Sequence, residues 1–433
     1  MSASDRVHMP WLLAASHLWQ ALAASSQPAD RVIADWLRAQ PAMGKRDRAW
    51  VSDLVWDMLR RQYRLDIVTA LVGDVDVEPE HAALMPVLLH LLLHDPERAL
   101  PDRLPATLVE TLRRAVVRFQ QLPESEDPNH DQALRIGFNP WFMQLLAREL
   151  PDTEPALAAQ AFAQRAGITL RVHTGRTTRD AVLNSLRAQN LDVAPTTWSP
   201  MGIHVASRIN LSTLPEYIDG LVEVQDEGSQ LIALLCTPSN DSTIVDACAG
   251  AGGKALAMAA LAPHAKIRAL DVSPQRMADL KPRAQRSRAR ITTALWKDAV
   301  ANAWNADIVL VDAPCTGLGT LRRNPDLRRH SDARLSELVQ TQARILNDCA
   351  AQVKPGGVLV YATCSIDSRE NEQAVDTFLA THPEFAVEPA DQVFQALGVT
   401  DIAGTDGRFM RLWPHRHGTD GFFAARLKRS ASR

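Results

Sequence analysis

Apolar residues recur at three- and four-residue spacing from the start of the chain to about residue 121. Trp11, Leu12, Ala15, Leu18 and Leu22 form one stripe, and Val51, Leu54, Val55, Met58 and Leu59 form another. Val32, Ile33, Trp36 and Leu37 add a third, with Pro28 and Asp30 as start signals. Glycine is scarce in this span, so the pattern predicts an all-α bundle over 1–131. Its end is expected in LPESEDPNHD (122–131), an acidic stretch with two prolines that reads as a linker.

Beyond the linker the period changes. ITLRVHT (168–174) and MGIHVAS (201–207) are strand-like, and TTRDAVLNSLRAQ (177–189) is helical, capped by Thr177 or Thr178. A small α+β module is predicted within 132–220. Residues 221–433 then alternate strand and helix. STIVDA (242–247), KIRALDV (266–272), ADIVLVDAP (306–314) and GGVLVYAT (356–363) are apolar strands, with helices KALAMAALA (254–262) and PQRMADLKPRAQRSRA (274–289) between them. Near-continuous apolar strands separated by amphipathic helices predict a parallel sheet covered on both faces. Ligands bind such sheets beyond the carboxyl ends of the strands, where Asp246, Asp271, Asp312, Cys315 and Cys364 fall.

At 433 residues the chain has room for two or three domains. Its net charge of −3 provides no bulk basic field, so a polyanion would have to be held by local patches. The five cysteines (236, 248, 315, 349, 364) include no CxxC pair, which argues against a disulfide framework and suits a reducing cytoplasm. No ligand spacing for a metal is present either. MPWLLAASHLWQALAASS (9–26) is broken by His17 and Gln20 and reads as an amphipathic helix, not a leader. AALMPVLLHLLLH (82–94) is too short for a membrane span. Cys236 and Cys349 are expected in the core, and Glu370 and Glu372 as acids in a helix's first turn. The run Lys281, Arg283, Arg286, Arg288, Arg290 fits a solvated helix face or a phosphate contact.

Two segments carry the chemistry. In DACAGAGGK (246–254), Gly250, Gly252 and Gly253 link a strand to a helix where a backbone can approach a ligand closely. Asp271, twenty-five residues after Asp246, ends the next strand and is placed to accept hydrogen bonds from ribose hydroxyls. The glycine spacing is not the dinucleotide fingerprint, and hydride transfer does not require two thiols. A thiolate matters when an unsaturated ring must be attacked covalently. Cytosine carbon 5 becomes nucleophilic once a thiolate adds at carbon 6, and the carbon-5 proton must leave before the thiolate can. That chemistry needs a thiolate, a carboxyl, a base and a sulfonium methyl donor. Cys315 and Cys364 both stand at strand tips, and position does not decide which of them attacks.

DACAGAGGK, DAPCTGLGTLRRNPD (312–326) and ATCSIDSRENE (362–372) resemble the signature motifs of the Sun/Nop family of RNA cytosine-carbon-5 methyltransferases. EVQDEGSQL (223–231) and TDGFFAARL (419–427) match as well, and PAMGKRDRAWVSDLVWDMLRR (41–61) resembles the NusB-like domain of the bacterial branch that modifies small-subunit ribosomal RNA. The resemblance implies a multidomain chain: a NusB-like helical RNA-binding domain, the α+β module, and an α/β Rossmann-like class I methyltransferase domain that uses S-adenosyl-L-methionine. It assigns attack to Cys364 and product release to Cys315, with Asp312 on the base and Lys254 beside it. It assigns the cofactor to Cys248, Ala249, Gly250, Ala251, Gly252, Gly253, Lys254, Asp271, Arg276, Asp298 and Asp312. Arg322, Arg323, Arg328 and Arg329 are expected as RNA ligands because they follow the Cys315 loop. The sequence departs from the family's usual AAPGGKT at Ala251, in place of proline, and at Ala255, in place of threonine. The expected enzyme is a cytoplasmic monomer acting on ribosomal RNA. Transfer RNA as the substrate and a non-catalytic ribosome-assembly role are the alternatives.

Overall fold

The apolar stripes of the first 121 residues become helices. Met9–Ala24, Lys45–Arg60, Pro79–His94 and Ala106–Gln120 bury Leu18, Leu54, Met58, Val87 and Leu112 in one core. The computed structural model describes residues 7–73, 78–123, 125, 128–207, 209–299, 304–329, 332–400, 402 and 407–431, less the side chains of 128, 129, 328, 329, 332 and 333. The linker expectation fails in part, because Pro128–Ile136 is a helix. That helix, Pro140–Glu149 and Pro155–Ala163 all begin with proline and belong to the helical unit, which runs to Gln164 and also takes in Leu321–Arg329. A proline breaks a helix interior but suits its first turn, so Pro128, which suggested an end, is a start. The expected boundary at residue 131 therefore falls inside a helix. Asp57, His90 and His94 converge within 4.8 Å of one another in this unit. The Arg61 guanidinium lies 2.6 Å from Asp57 and also contacts the His94 ring.

The second unit, Arg165–Thr320 with His330–Arg433, holds two sheets. The smaller is antiparallel, in the order Val193–Pro195, Gly202–Val205, Ile168–Val172, Val222–Val224. The helix Arg179–Ala188, capped by the Thr178 hydroxyl, adds Val182, Leu183 and Leu186 to that module's core. The larger sheet contains β1 (Thr243–Asp246), β2 (Lys266–Asp271), β3 (Ile291–Leu295), β4 (Ala306–Asp312), β5 (Val353–Thr363), β6 (Phe385–Glu388), β7 (Met410–Leu412) and β8 (Phe422–Arg429). Its order is β6-β8-β5-β4-β1-β2-β3, with β7 also on β8. Strands β1 to β5 are parallel, and β6, β7 and β8 join antiparallel. The sheet is thus mixed, not purely parallel as expected. FFAARLKR supplies an antiparallel strand that the βα pattern did not announce, because such a strand needs no crossover helix.

Helices α1 (Gly253–Leu261), α2 (Pro274–Ser287), α3 (Asp332–Ala350) and α4 (Glu372–Thr381) connect the strands of this sheet. The chain runs outward from β1 to β3 and returns to place β4 on the other side of β1, creating a switch point between β1 and β4. The loops beyond β4 and β5 are tied by backbone bonds: the Gly319 N–H donates to the Cys364 carbonyl (2.8 Å), and the Gly421 N–H to the Gly319 carbonyl (2.8 Å). A Cβ on Gly319 would lie 2.0 Å from the Gly421 oxygen and 2.8 Å from the Cys364 oxygen, so only glycine fits there. No described helix is long and apolar enough to cross a membrane. Gly319→Ala should force these strand-tip loops apart and cost about 1–3 kcal/mol. Calorimetric melting checks this, and an unchanged melting temperature would refute the close packing.

Candidate active site

Near-continuous burial of β4 and β5 carries their carboxyl ends side by side. Asp312 stands in register with Ala362, and the Ala313 N–H donates to the Ala362 carbonyl at 2.9 Å. Past these tips the Cys315 and Cys364 sulfurs come to 3.5 Å of each other. Both side chains are partly exposed, whereas Cys236 and Cys349 are buried in the core as expected. The Cys315 thiol is held well above its usual pKa, first by its hydrogen bond with Cys364, then by burial and by the nearby charges of Cys364 and Glu370. Burial likewise pushes the Cys248 thiol up.

Lys254 enters this group from α1. Its Nζ lies 2.6 Å from the Asp312 carboxylate, with the ring of Phe422 beneath at 5.8 Å. Burial lowers the pKa of the lysine, but Asp312, Cys364 and Asp246 outweigh it and raise it. The ammonium is therefore a fixed positive charge among the thiols and carboxyls. Asp246, at the tip of β1, is buried, and neither of its carboxylate oxygens has a hydrogen-bond partner. Burial, then the Asp312 charge, pushes its pKa up to about 7, although the Lys254 charge pulls the other way.

The glycine loop is built for close approach. Gly250 and Gly252 have φ of +53° and +81°, conformations that side chains rarely adopt. A Cβ on Gly252 would strike Leu280 of α2 at 2.1 Å, and one on Gly250 would meet open space. The Gly252 N–H donates to the Ala249 carbonyl (2.8 Å), and the Ala249 N–H to the Leu270 carbonyl (2.8 Å), closing the turn over the end of β2. There Asp271 accepts from the Gly250 N–H (2.9 Å) and from the Ser273 N–H (2.8 Å). Each bond uses a different oxygen, so each oxygen keeps a lone pair for a ligand. An orphaned buried carboxylate, an uncovered glycine and this second carboxylate fit a nucleoside that carries positive charge.

The remaining expected residues are more dispersed. Arg276 is exposed in the first turn of α2, and Asp298 is exposed in the short helix Trp296–Ala299 after β3. Arg322 and Arg323 are half-buried within the helical unit. The Arg328 and Arg329 side chains lie outside the described residues.

The sequence reading missed two roles. Arg283, taken as part of a solvated or phosphate-binding run, donates to the Ala251 carbonyl at 2.6 Å and to the buried Glu223 at 3.0 Å. Arg286 also pairs with Glu223 and lies 3.9 Å over the Tyr217 ring. Charge spacing along a helix could not reveal a buried partner sixty residues away. Glu370 was expected in a helix's first turn, yet α4 starts at Glu372 and Glu370 is wholly buried ahead of it. Glu372 pairs with Arg411 at 2.6 Å.

Residues 233–428 match the model of the 16S rRNA methyltransferase RsmB/F, and 138–212 match the ferredoxin-like domain of RsmF/B-like methyltransferases. A probable ribosomal RNA small subunit methyltransferase B of Synechocystis is 30% identical over 89% of this chain and 92% of its own. The chain belongs to the RsmB/F methyltransferase family. The ribosomal RNA small subunit methyltransferase B of Sodalis glossinidius is 31% identical over 90% of this chain and 91% of its own. The crystal structure of PH0851 shares the fold, with a TM-score of 0.78 and 24% identity over 98% of this chain and all of the other. S-adenosylmethionine is the methyl donor of RsmB/F enzymes, and the glycine loop and acidic strand ends are consistent with it.

Arg283 is then a brace for the RsmB/F glycine loop. Arg283→Ala should speed hydrogen exchange at the amides of 249–254 by about tenfold, since one charged bond holds the loop's outer turn. Unchanged protection in exchange mass spectrometry would show that the loop stands without it.

Proposed function

We propose that this enzyme methylates carbon 5 of cytosine in small-subunit ribosomal RNA through a covalent adduct with Cys364. The observation that carries the proposal is the pair of sulfurs 3.5 Å apart, beside an ammonium–carboxylate pair at adjacent strand tips. A single base can reach all four groups only if it leaves its stack, which favours an unpaired or weakly paired cytosine.

The Cys364 thiolate adds to carbon 6, forming a C–S bond and moving an electron pair toward carbon 5. Asp312 accepts from the exocyclic amine and faces ring nitrogen 3, and Lys254 supplies the positive charge that this ring needs as electrons accumulate. S-adenosylmethionine provides an electrophilic methyl on its sulfonium. A base then takes the carbon-5 proton, the C–S bond breaks, and its electron pair returns to the Cys364 sulfur. Cys315, held protonated in the resting site, is within reach to give that sulfur a proton and complete release. Asp271 holds the cofactor ribose, Asp298 its adenine amine, and the backbone of 248–253 its methionine end. Asp246 offers its unpartnered carboxylate to the positive charge, and Arg276 lies on the same rim. RNA contact falls to the helical unit and to Arg322, Arg323, Arg328 and Arg329, since a chain of net charge −3 needs local basic and shape-selective surfaces.

Bisulfite mapping of ribosomal and transfer RNA from cells with and without the protein tests the substrate. A site lost from transfer RNA alone would overturn the ribosomal assignment.

Two mutational outcomes test the chemistry. Asp271→Ala should weaken S-adenosylmethionine binding roughly tenfold to a hundredfold, or about 1.5–3 kcal/mol, by calorimetry. Unchanged affinity in the folded variant would remove Asp271 from the site. Cys364→Ala should abolish methylation and form no adduct, whereas Cys315→Ala should accumulate a protein–RNA adduct that survives denaturing gels. The reverse pattern would make Cys315 the attacking residue.

A further inference from the structure

The two cysteine loops share one buried anion. Glu370 Oε1 accepts from the Thr316 N–H (2.9 Å) and from Gln342 Nε2 (2.9 Å). Its Oε2 accepts from the Thr316 hydroxyl (2.6 Å) and the Ser365 hydroxyl (2.5 Å). Thr316 follows Cys315 and Ser365 follows Cys364, so a single carboxylate grips the residue next to each thiol. Gln342, from α3, also donates to the Pro314 carbonyl at 2.9 Å, so the Cys315 residue is bracketed on both sides.

Neighbouring groups lock this anion in place. The Tyr361 hydroxyl donates to the Glu370 carbonyl at 2.6 Å. Asn371 accepts from the Thr363 hydroxyl (2.6 Å) and donates to the Ser365 carbonyl (3.1 Å), holding the residues before and after Cys364. Glu370, Asn371, Gln342, Thr316, Thr363 and Ser365 are all buried.

A carboxylate is a costly way to fill such a space. Burial raises the pKa of Glu370, and the four donors act against that shift. Apolar packing would hold two loops together without this penalty. A carboxylate, however, can accept from four directions at once, and it fixes distances to within a hydrogen bond's narrow range. Its negative charge also adds to the influences that keep Cys315 protonated.

We propose that Glu370 is the positioning residue that fixes the separation of the two thiols, and with it the handover from methyl transfer to release. This rests on the proposed function for its consequence, but not for its geometry. With the carboxylate removed, the Cys315 loop is no longer registered against Cys364. The attacking thiol would still add to the base, while the releasing thiol would no longer be in place.

The geometry is tested without RNA. Diamide takes two electrons and two thiol protons from Cys315 and Cys364, is itself reduced to the hydrazine, and leaves a disulfide measurable by peptide mass. The wild-type full-length protein should close this disulfide readily, since its sulfurs are already adjacent. Glu370→Ala should close it about tenfold more slowly, as expected for a misplacement of the order of an ångström. Glu370→Gln should restore closure to within about threefold, because its amide can occupy the side facing the two hydroxyls, which can reverse their bonds. In turnover, Glu370→Ala should lower kcat by roughly tenfold to a hundredfold with KM for RNA and affinity for S-adenosylmethionine unchanged, and should retain protein–RNA adduct.

Closure of the disulfide by Glu370→Ala at the wild-type rate would overturn the proposal. So would a fall in cofactor affinity parallel to that in kcat, which would mark a general loss of fold. If Glu370→Ala does not fold, Thr316→Val carries the same test: it removes one hydroxyl donor but keeps the backbone N–H. Slower closure supports the positioning role, and wild-type closure refutes it. A wild-type enzyme that closes the disulfide but never forms 5-methylcytosine would instead sink the proposed function and leave the thiol geometry standing.

Discussion

The register between β4 and β5 is the constraint on which the site depends. Adjacent strands lie about 4.8 Å apart, so two residues just past paired tips are brought within reach of one another. Asp312 opposite Ala362 sets that pairing, and the Gly319 bond to the Cys364 carbonyl extends it beyond the sheet. A slip of one residue would turn every inward side chain of one strand outward and send the Asp312 carboxylate away from Lys254. The buried apolar run of each strand is what forbids that slip, so core packing and thiol spacing are a single problem.

Around this register the site is layered by charge. Lys254 is the positive centre, Asp312 its direct partner, and Asp246 a buried acid whose pKa is raised by burial and by the Asp312 charge. Asp271 lies one strand further out, already engaged with the glycine loop it helps to shape. Arg283 donates to the Ala251 carbonyl of that loop and is itself held by Glu223.

Much of this arrangement was legible in the sequence. Unbroken apolar runs ending in Asp or Cys located the strand tips, and the order of those runs placed them on one edge of a sheet. Which tips are adjacent was not legible, because strand order is set by crossovers and not by sequence proximity. The partners of Glu370 and Arg283 were hidden for a related reason. An acid near a helix start and an arginine on a helix face have strong local explanations, and only tertiary contact with Thr316 or Glu223 displaces them. Proline misled in the stretch 122–131, where it opens a helix instead of ending one. The antiparallel β8 was missed because a sheet read as βα alternation has no place for a final strand without a helix.

The chain leaves the catalytic unit after Thr320, and Leu321–Arg329 pack with the first 164 residues, where Asp326 accepts from the Ala29 N–H at 3.3 Å. During synthesis the helical unit emerges first but lacks one of its own pieces. That piece is translated only after β1 to β4, the glycine loop and Cys315. The helical unit is complete only once that late segment has been made, directly after the loop bearing Cys315. These nine residues make completion of the first unit to be translated depend on translation of the second.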